Sequence, residues 1–409
     1  MINKTPPKGM RDFLPRDLAM RNRVISKIKE AYVSFGFAEI ETPCVDDINL
    51  LLSKQGGDNE KLIYKILKRG EKLAAAGDGD LCDLGLRFDL TLPLARYYAN
   101  NIGGLPPVFK AIQAGPVFRA DRPQKGRYRQ FVQCDIDIIG EESVFAETEL
   151  ILATARALQN VGLEGFTIKI NDRRILRELL VFCGFESGLH EKALISLDKL
   201  DKIGSGGVKE EMLAYAPANK VEKFLSVSEK IASSENGLAA CAEILEAAAN
   251  AARDLERIIS AVKAVSGAKP DFDITLVRGM NYYTGAIFEI YAEGIPYALG
   301  GGGRYDKLIG KITGTDVPAC GFSIGFERIV DLLAERGAKP VPNGCAAIIV
   351  PKEQAEQTEK IFAAAQKLRE IQSCTVYRKM KNFAYQLKTL SENGCGKFYM
   401  YDDGNLRKI

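Results

Sequence analysis

Apolar positions recur at helical spacing between about residues 18 and 35, where Val24, Ile25, Ile28 and Tyr32 share one side and Gly36 ends the run. Residues 37–43 then read as a strand stopped by Pro43. Residues 62–67 and 84–88 read as two more strands. The sharpest alternation lies at 132–138: Gln133, Asp135 and Asp137 take one face, and Val132, Cys134, Ile136 and Ile138 the other. Residues 147–161 are strongly helical, 166–170 form a strand, and Asn171-Asp172 open a further helix. From about 184 to 268 the texture turns Ala-, Lys- and Glu-rich and helical, with a flexible Gly-Ser-Gly-Gly at 204–207. Strand texture returns at 272–277 and 286–291, so the helical stretch reads as a module inserted into one sheet. A Gly/Pro-rich linker up to Gly344 precedes strands at 346–350, 375–377 and 398–401 and helices near 353–371 and 383–390, which alternate as a small α/β domain.

Residues 116–140 carry the densest chemistry. A short apolar entry, Pro116-Val117-Phe118, delivers Arg119, and a polar loop follows with Arg122, Lys125, Arg127 and Arg129, turned by Pro123 and Gly126. The reading is a hairpin with guanidiniums at its bend and an amide plus carboxylates along its wet face. Such a surface suits a polyphosphate at one end and a small cationic molecule at the other. A hairpin with a basic turn and an ordinary solvated face fits the spacing equally. Asp89 beside Thr91 is either an ammonium cage, charge plus a directional acceptor, or the cap of a following helix. Arg278 at a strand end is a phosphate ligand or a surface charge, and the nearby Tyr282-Tyr283 pair favours a pocket. The four consecutive glycines at 300–303 read as a turn or linker, or as bare backbone for a ligand to lie against.

At 409 residues the chain has room for two or three domains. Charged residues at 27% and hydrophobic ones at 46% are those of an ordinary globular protein, and a net charge of +3 neither requires nor opposes a nucleic-acid partner. No run of 18 apolar residues occurs and the first residues lack a signal-peptide core, so the expected setting is cytoplasmic, with no membrane partner. The 9 cysteines stand singly, which argues against a disulfide framework. With His190 as the sole histidine, a histidine-rich metal centre and a Ser-His-Asp triad are both strongly disfavoured. The chemistry falls to arginines, carboxylates and amides, with no protein-held metal. No G-x-x-x-x-G-K-[ST] occurs, which disfavours a P-loop ATPase.

The run FRADRPQKGRYRQF, followed by Gln133 and an acidic pair, resembles motif 2 of the histidyl-tRNA synthetases, a class II aminoacyl-tRNA synthetase family. The long helix feeding a strand that ends at Pro43 resembles motif 1, which builds the dimer interface of that class. GMRDFLP at 9–15 and RGMNYYTG at 278–285 resemble peptides particular to the histidyl enzymes, with Asn281 where the family often has Asp. CGFSIGFER at 320–328 resembles motif 3, the unit that holds ATP. These motifs span nearly the whole chain in the family's order.

The resemblance implies an α+β fold: an antiparallel six- or seven-stranded sheet with helices over residues 1–335, interrupted by the helical insertion at about 184–268. Residues 344–409 would form a short anticodon-binding-like α/β domain, where 11 Lys and Arg face 7 Asp and Glu. The implied activity is histidine–tRNA ligation in a homodimer, using ATP, Mg²⁺ brought with ATP, histidine and tRNA(His). Arg119 and Arg278 would flank the α-phosphate, with Arg127 and Arg328 on the outer phosphates and Gly321 and Gly325 leaving room for adenine and ribose. Asp89, Thr91 and Gln133 would hold the amino group, Asp137 and Tyr283 would read the imidazole, and Tyr282 and Tyr305 would wall the pocket. Arg122 and Gln124 would meet the acceptor end of tRNA. A different class of function is a non-catalytic, synthetase-like regulatory subunit of ATP phosphoribosyltransferase. Those paralogues generally lack the C-terminal domain and the catalytic arginines, both of which this chain keeps. A synthetase-like sensor domain of a kinase would need kinase sequence, which is absent.

Overall fold

The structure, a computed structural model, describes residues 2–53, 57–77, 81–124, 126–278, 282–337 and 344–409. Lys125, Asn281 and most of the linker before Gly344 lie outside the described residues. The chain divides into two compact units, one of Met1–Met10 with Lys27–Ile329 and one of Arg11–Ser26 with Val330–Ile409. The strands of the first unit are, in chain order, β1 (Ala38–Glu39), β2 (Val45–Asp47), β3 (Lys65–Leu67), β4 (Cys82–Leu86), β5 (Phe109–Phe118), β6 (Gln130–Ile139), β7 (Phe166–Asp172), β8 (Lys269–Phe272), β9 (Ala286–Ala292), β10 (Gly300–Arg304) and β11 (Ala319–Ile324).

Eight of these form one sheet in the order β1-β5-β6-β11-β10-β9-β7-β8, and β2-β4-β3 form a small second sheet. The six central strands of the large sheet are mutually antiparallel, as the alternating patterns imply. Each edge adds a short strand in parallel, β1 on β5 and β8 on β7, so the sheet is mixed rather than wholly antiparallel. β5 and β6 pair from Phe109 opposite Ile139 to Phe118 opposite Gln130, which makes the basic loop the bend of a long hairpin. Leu92, Leu94, Tyr98, Phe109, Leu308 and Ile309 form a buried cluster drawn from β5 and the helices Thr91–Asn101 and Asp306–Thr313. The buried Arg304 at the end of β10 donates from Nε and Nη2 to Glu147 at 2.6 and 2.7 Å, tying the sheet to the helix Phe145–Asn160.

The helical insertion packs by its own amphipathic faces. Helix Ala218–Ala232 buries Val221, Phe224 and Ile231, and helix Ala249–Val265 buries Ala251, Leu255, Ile258 and Val262, the spacing of one helical stripe. Residues 204–207 are not a flexible spacer. They lie inside the helical stretch Leu200–Leu213, and the break is confined to Gly204, whose φ of 68° only glycine adopts cheaply. His190 opens the helix His190–Leu197, and its Nε2 lies 3.1 Å from the Phe185 carbonyl, a local turn contact.

Three readings change. The strand expected over 37–43 is only the two residues of β1. Residues 272–277 are not a strand, because β8 stops at Phe272 and Asp273 Oδ1 accepts from Thr275 N at 2.9 Å and Thr275 Oγ1 at 2.5 Å. That side chain turns the backbone before Arg278 is reached. The glycine run at 300–303 is neither turn nor linker but the body of β10, buried between β9 and β11.

In the second unit, β12 (Cys345–Val350), β13 (Cys374–Arg378), β14 (Cys395–Asp402) and β15 (Asn405–Lys408) form a sheet in the order β13-β12-β14-β15. β15 is a polar strand beyond the three that the pattern predicts, reached through Asp403 and Gly404 at φ 40° and 89°. Asp-Gly with both residues left-handed is the signature of a tight hairpin. Among the described residues, no helix is long and apolar enough to cross a membrane.

Candidate functional site

The pleat puts Gln133, Asp135 and Asp137 of β6 on one face of the sheet, and antiparallel register extends that face sideways. Asp135 lies opposite Gln113 on β5 and Ser323 on β11, Ser323 opposite Gly301 on β10, and Gly301 opposite Glu289 on β9. A second row runs Asp137, Gly321, Gly303. The glycines in these rows leave space that functional side chains fill. A Cβ on Gly321 would lie 2.0 Å from Asp137 Oδ1, and one on Gly301 would crowd Arg278 Nε and Cζ. The room at Gly321, expected for adenine or ribose, is therefore taken by the Asp137 carboxylate. At Gly325 a Cβ would stand 2.8 Å from the Leu299 carbonyl oxygen and 3.6 Å from Arg328 Cδ.

Asp137 is only 4% exposed, and its Oδ1 accepts from Tyr305 Oη at 2.5 Å. Burial, with Asp137 next to it, pushes the Tyr305 phenol far above its ordinary range. The Tyr282 and Tyr283 rings meet tilted at 4.2 Å and Tyr282 meets Tyr305 edge-on at 6.5 Å, so the tyrosine that holds the Asp137 carboxylate is one of three rings in contact. Burial raises Tyr282 to about 12, and its hydroxyl feels Arg278, Asp89 and Arg119. The arrangement offers flat walls and one fixed acceptor to a planar ligand with an N–H.

Further along the same face of β6, Gln133 Oε1 accepts from Arg119 Nη2 at 3.3 Å, while its Nε2 donates to Asp135 Oδ2 and Ser323 Oγ, both at 3.1 Å. Arg119 is pinned by its Nε, which donates to the Phe88 carbonyl at 3.0 Å, and by the Phe88 and Phe131 rings against its guanidinium. Burial lowers the Arg119 pKa, and Asp89, Asp121 and Asp135 oppose that shift. Asp89 supports the start of a helix and also lies in the charged field of the site. Its Oδ1 accepts from Leu92 N at 3.1 Å at the start of the helix Thr91–Asn101, while its charge acts on Arg119, Asp135 and Tyr282. Thr91 is the first residue of that helix.

The remaining arginines gather at the other end of the rows. Arg278 Nη1 donates to Glu289 Oε1 at 2.7 Å, and Glu289 Oε2 accepts from Tyr291 Oη at 2.5 Å. Arg278 Nε is buried without a hydrogen-bond partner among the described residues. Burial works against its charge, and Glu289 with the neighbouring tyrosines more than restores it. Arg328 donates to the Gly126 and Ala298 carbonyls and lies over the Tyr297 ring. Burial depresses the Arg328 pKa, and Arg127 and Arg278 add to the depression by like-charge repulsion. Three guanidiniums thus share one field, which an anion with several charges would relieve. Arg127 is half exposed and faces Asp121 at 3.7 Å. Arg122 and Gln124 are exposed on the hairpin bend, where Gln124 and Arg127 bridge backbone to backbone.

Four residues of this surface were not singled out as site residues: Asp135, Ser323, Glu289 and Glu327. Asp135 shares the alternation of Gln133 and Asp137, so the signal was present. Ser323 lies inside the glycine-bounded run at 321–325. Glu289 is one acidic residue in an apolar strand, and only the register to Gly301 brings it beside Arg278. Glu327, 4% exposed, accepts from Val132 N at 3.1 Å and holds the start of its helix against β6. Among the described residues, no group of three or more His, Cys, Asp or Glu is arranged to hold a metal ion.

The family described as Histidyl-tRNA synthetase matches residues 9–329. A histidine–tRNA ligase of Leifsonia xyli subsp. xyli is 51% identical over 348 residues, covering 80% of each chain. A histidine–tRNA ligase of Rhodopirellula baltica is 34% identical over 404 residues, 96% of this chain and 89% of that one. The crystal structure of histidyl-tRNA synthetase from Nostoc sp. PCC 7120 superposes with a TM-score of 0.80 at 24% identity, over 100% of this chain and 97% of that chain, a likeness of fold.

Proposed function

This chain belongs to the histidyl-tRNA synthetase family, and we propose from that premise how its residues divide the work of ligation. The activity is that of a histidine–tRNA ligase. A carboxylate oxygen of histidine attacks the α-phosphorus of ATP, pyrophosphate leaves, and the terminal adenosine hydroxyl of tRNA then attacks the acyl carbon and releases AMP.

The observation that carries the residue assignment is the buried Asp137 carboxylate, held at 2.5 Å by Tyr305, whose ring meets Tyr282 and through it Tyr283. Asp137 accepts an imidazole N–H, with Tyr283 as the second contact and Tyr282 and Tyr305 as walls. Asp89, Thr91 and the Gln133 oxygen receive the α-ammonium. That orientation aims the histidine carboxylate toward Arg119 and Arg278, which flank the α-phosphate and stabilise charge as it develops there. Arg127 and Arg328 take the outer phosphates, with Gly325 beside the nucleotide. Mg²⁺ brought with ATP would sit on those same phosphates and would supply part of the charge neutralisation there. Arg122 and Gln124, exposed on the bend, meet the acceptor end of tRNA(His).

The small unit with β12–β15 takes the anticodon role, the segment ending at Pro43 the homodimer contact, and the cytoplasm is the setting. No structural feature favours the regulatory-subunit alternative over ligation, and the arginine cluster supports catalysis. ATP–pyrophosphate exchange with each amino acid offered singly tests the assignment. Histidine alone should support exchange; exchange with another amino acid, or none with histidine, would overturn it.

A further inference from the structure

We propose that Asp135 is a positioning residue that locks the Gln133 carboxamide so that its oxygen, not its NH₂, faces the α-ammonium of histidine. The inference rests on the histidine-site reading above. Asp135 is 4% exposed, and both of its carboxylate oxygens lie within hydrogen-bond reach of Gln133 Nε2, at 3.3 and 3.1 Å. Ser323 Oγ takes the same nitrogen from β11 at 3.1 Å, and Arg119 Nη2 donates to the Gln133 oxygen from the other side. A guanidinium can only donate and an ionised carboxylate can only accept, so the two ends of the amide have one compatible orientation. A bare glutamine in a polar pocket has two of nearly equal energy. Without the lock, an NH₂ turned toward an ammonium would repel it.

The lock depends on the charge of Asp135. Burial raises its carboxyl to about 7; Asp89 raises it further, and Ser323, Arg119 and Gln133 oppose. Those are the groups facing it from the neighbouring elements, with Cys134 on its own strand and Tyr32 behind the sheet also in its field. An ammonium arriving beside Gln133 and Asp89 favours the ionised form, so histidine binding is coupled to loss of the Asp135 proton near neutrality.

The test is Asp135→Asn, assayed by pyrophosphate exchange with histidine and ATP varied separately across pH. Asparagine keeps the shape but accepts or donates with equal ease. At pH ~8 the histidine KM should rise about tenfold, the loss expected for a hydrogen bond to a charged group, with the ATP KM within about twofold. The ratio of variant to wild-type histidine KM should fall toward one near pH ~5.5, where the wild-type carboxyl is itself protonated; the ratio cancels the titration of free histidine. A ratio that is flat with pH, or a histidine KM unchanged at pH ~8, would overturn the inference. If Asp135→Asn does not fold, Ser323→Ala removes the other acceptor. It should raise the histidine KM roughly threefold and leave the ATP KM unmoved, and an unmoved histidine KM overturns the inference equally. Histidine-specific exchange with neither variant affected sinks this inference alone, whereas loss of histidine specificity in the wild type sinks the site reading.

Discussion

Gly321→Ala should damage histidine recognition and spare ATP. β11 is extended at this position, so alanine needs no unusual backbone. Its methyl would sit 2.0 Å from Asp137 Oδ1, 2.9 Å from Asp137 Cγ and 3.2 Å from Tyr305 Cε1. The three nearest atoms all belong to side chains and the two closest to Asp137, so the carboxylate must move. Oδ1 is the atom that accepts from Tyr305 at 2.5 Å, and moving it breaks that bond and shifts the acceptor meant for the imidazole. A hydrogen bond to a charged group is worth about 1.5–3 kcal/mol, which converts to a rise in histidine KM of roughly tenfold to a hundredfold. Overpacking should also lower stability by about 1–3 kcal/mol, so the assay is run well below the variant's melting point. Pyrophosphate exchange with histidine varied at saturating ATP, then ATP varied at saturating histidine, separates the two substrates. If the ATP KM rises and the histidine KM does not, the space at Gly321 belongs to the nucleotide and the reasoning is refuted.

Arg278→Ala should slow single-turnover adenylate formation by ~10²–10³, the usual loss for one preorganised donor, with transfer from preformed adenylate little changed. Arg278→Lys should recover part of that rate because a point charge lacks the guanidinium fork; an alanine variant within about threefold of wild type would remove Arg278 from the chemistry. Glu147→Ala breaks the bidentate pair with Arg304, at 2.6 and 2.7 Å, where both side chains are at least nine-tenths buried. Urea unfolding should report a loss of about 3–5 kcal/mol, since a buried guanidinium is left short of its partner, and an unchanged midpoint would show the pair to be dispensable.

Much of the site was legible in the chain itself. The alternation at 132–138 assigns Gln133, Asp135 and Asp137 to one face under any sheet order, because the pleat repeats every two residues and is local. The basic bend beginning at Arg119 follows from the same hairpin pattern, and the Asp403-Gly404 turn was there to announce β15. What faces that surface was not legible. Ser323 and Gly321 meet β6 across nearly 190 residues of chain, and Arg278 reaches its place only after Asp273 turns the chain out of β8. Four glycines in a row look like a turn when read alone; between β9 and β11 they become a strand whose missing side chains make way for Arg278 and Tyr283. Asp135 looked like one more polar residue on a wet strand until its neighbours buried it and brought Asp89 and Arg119 into its field. Periodicity decides which way a side chain points. Register between distant strands decides what it meets, and with that its charge and its function.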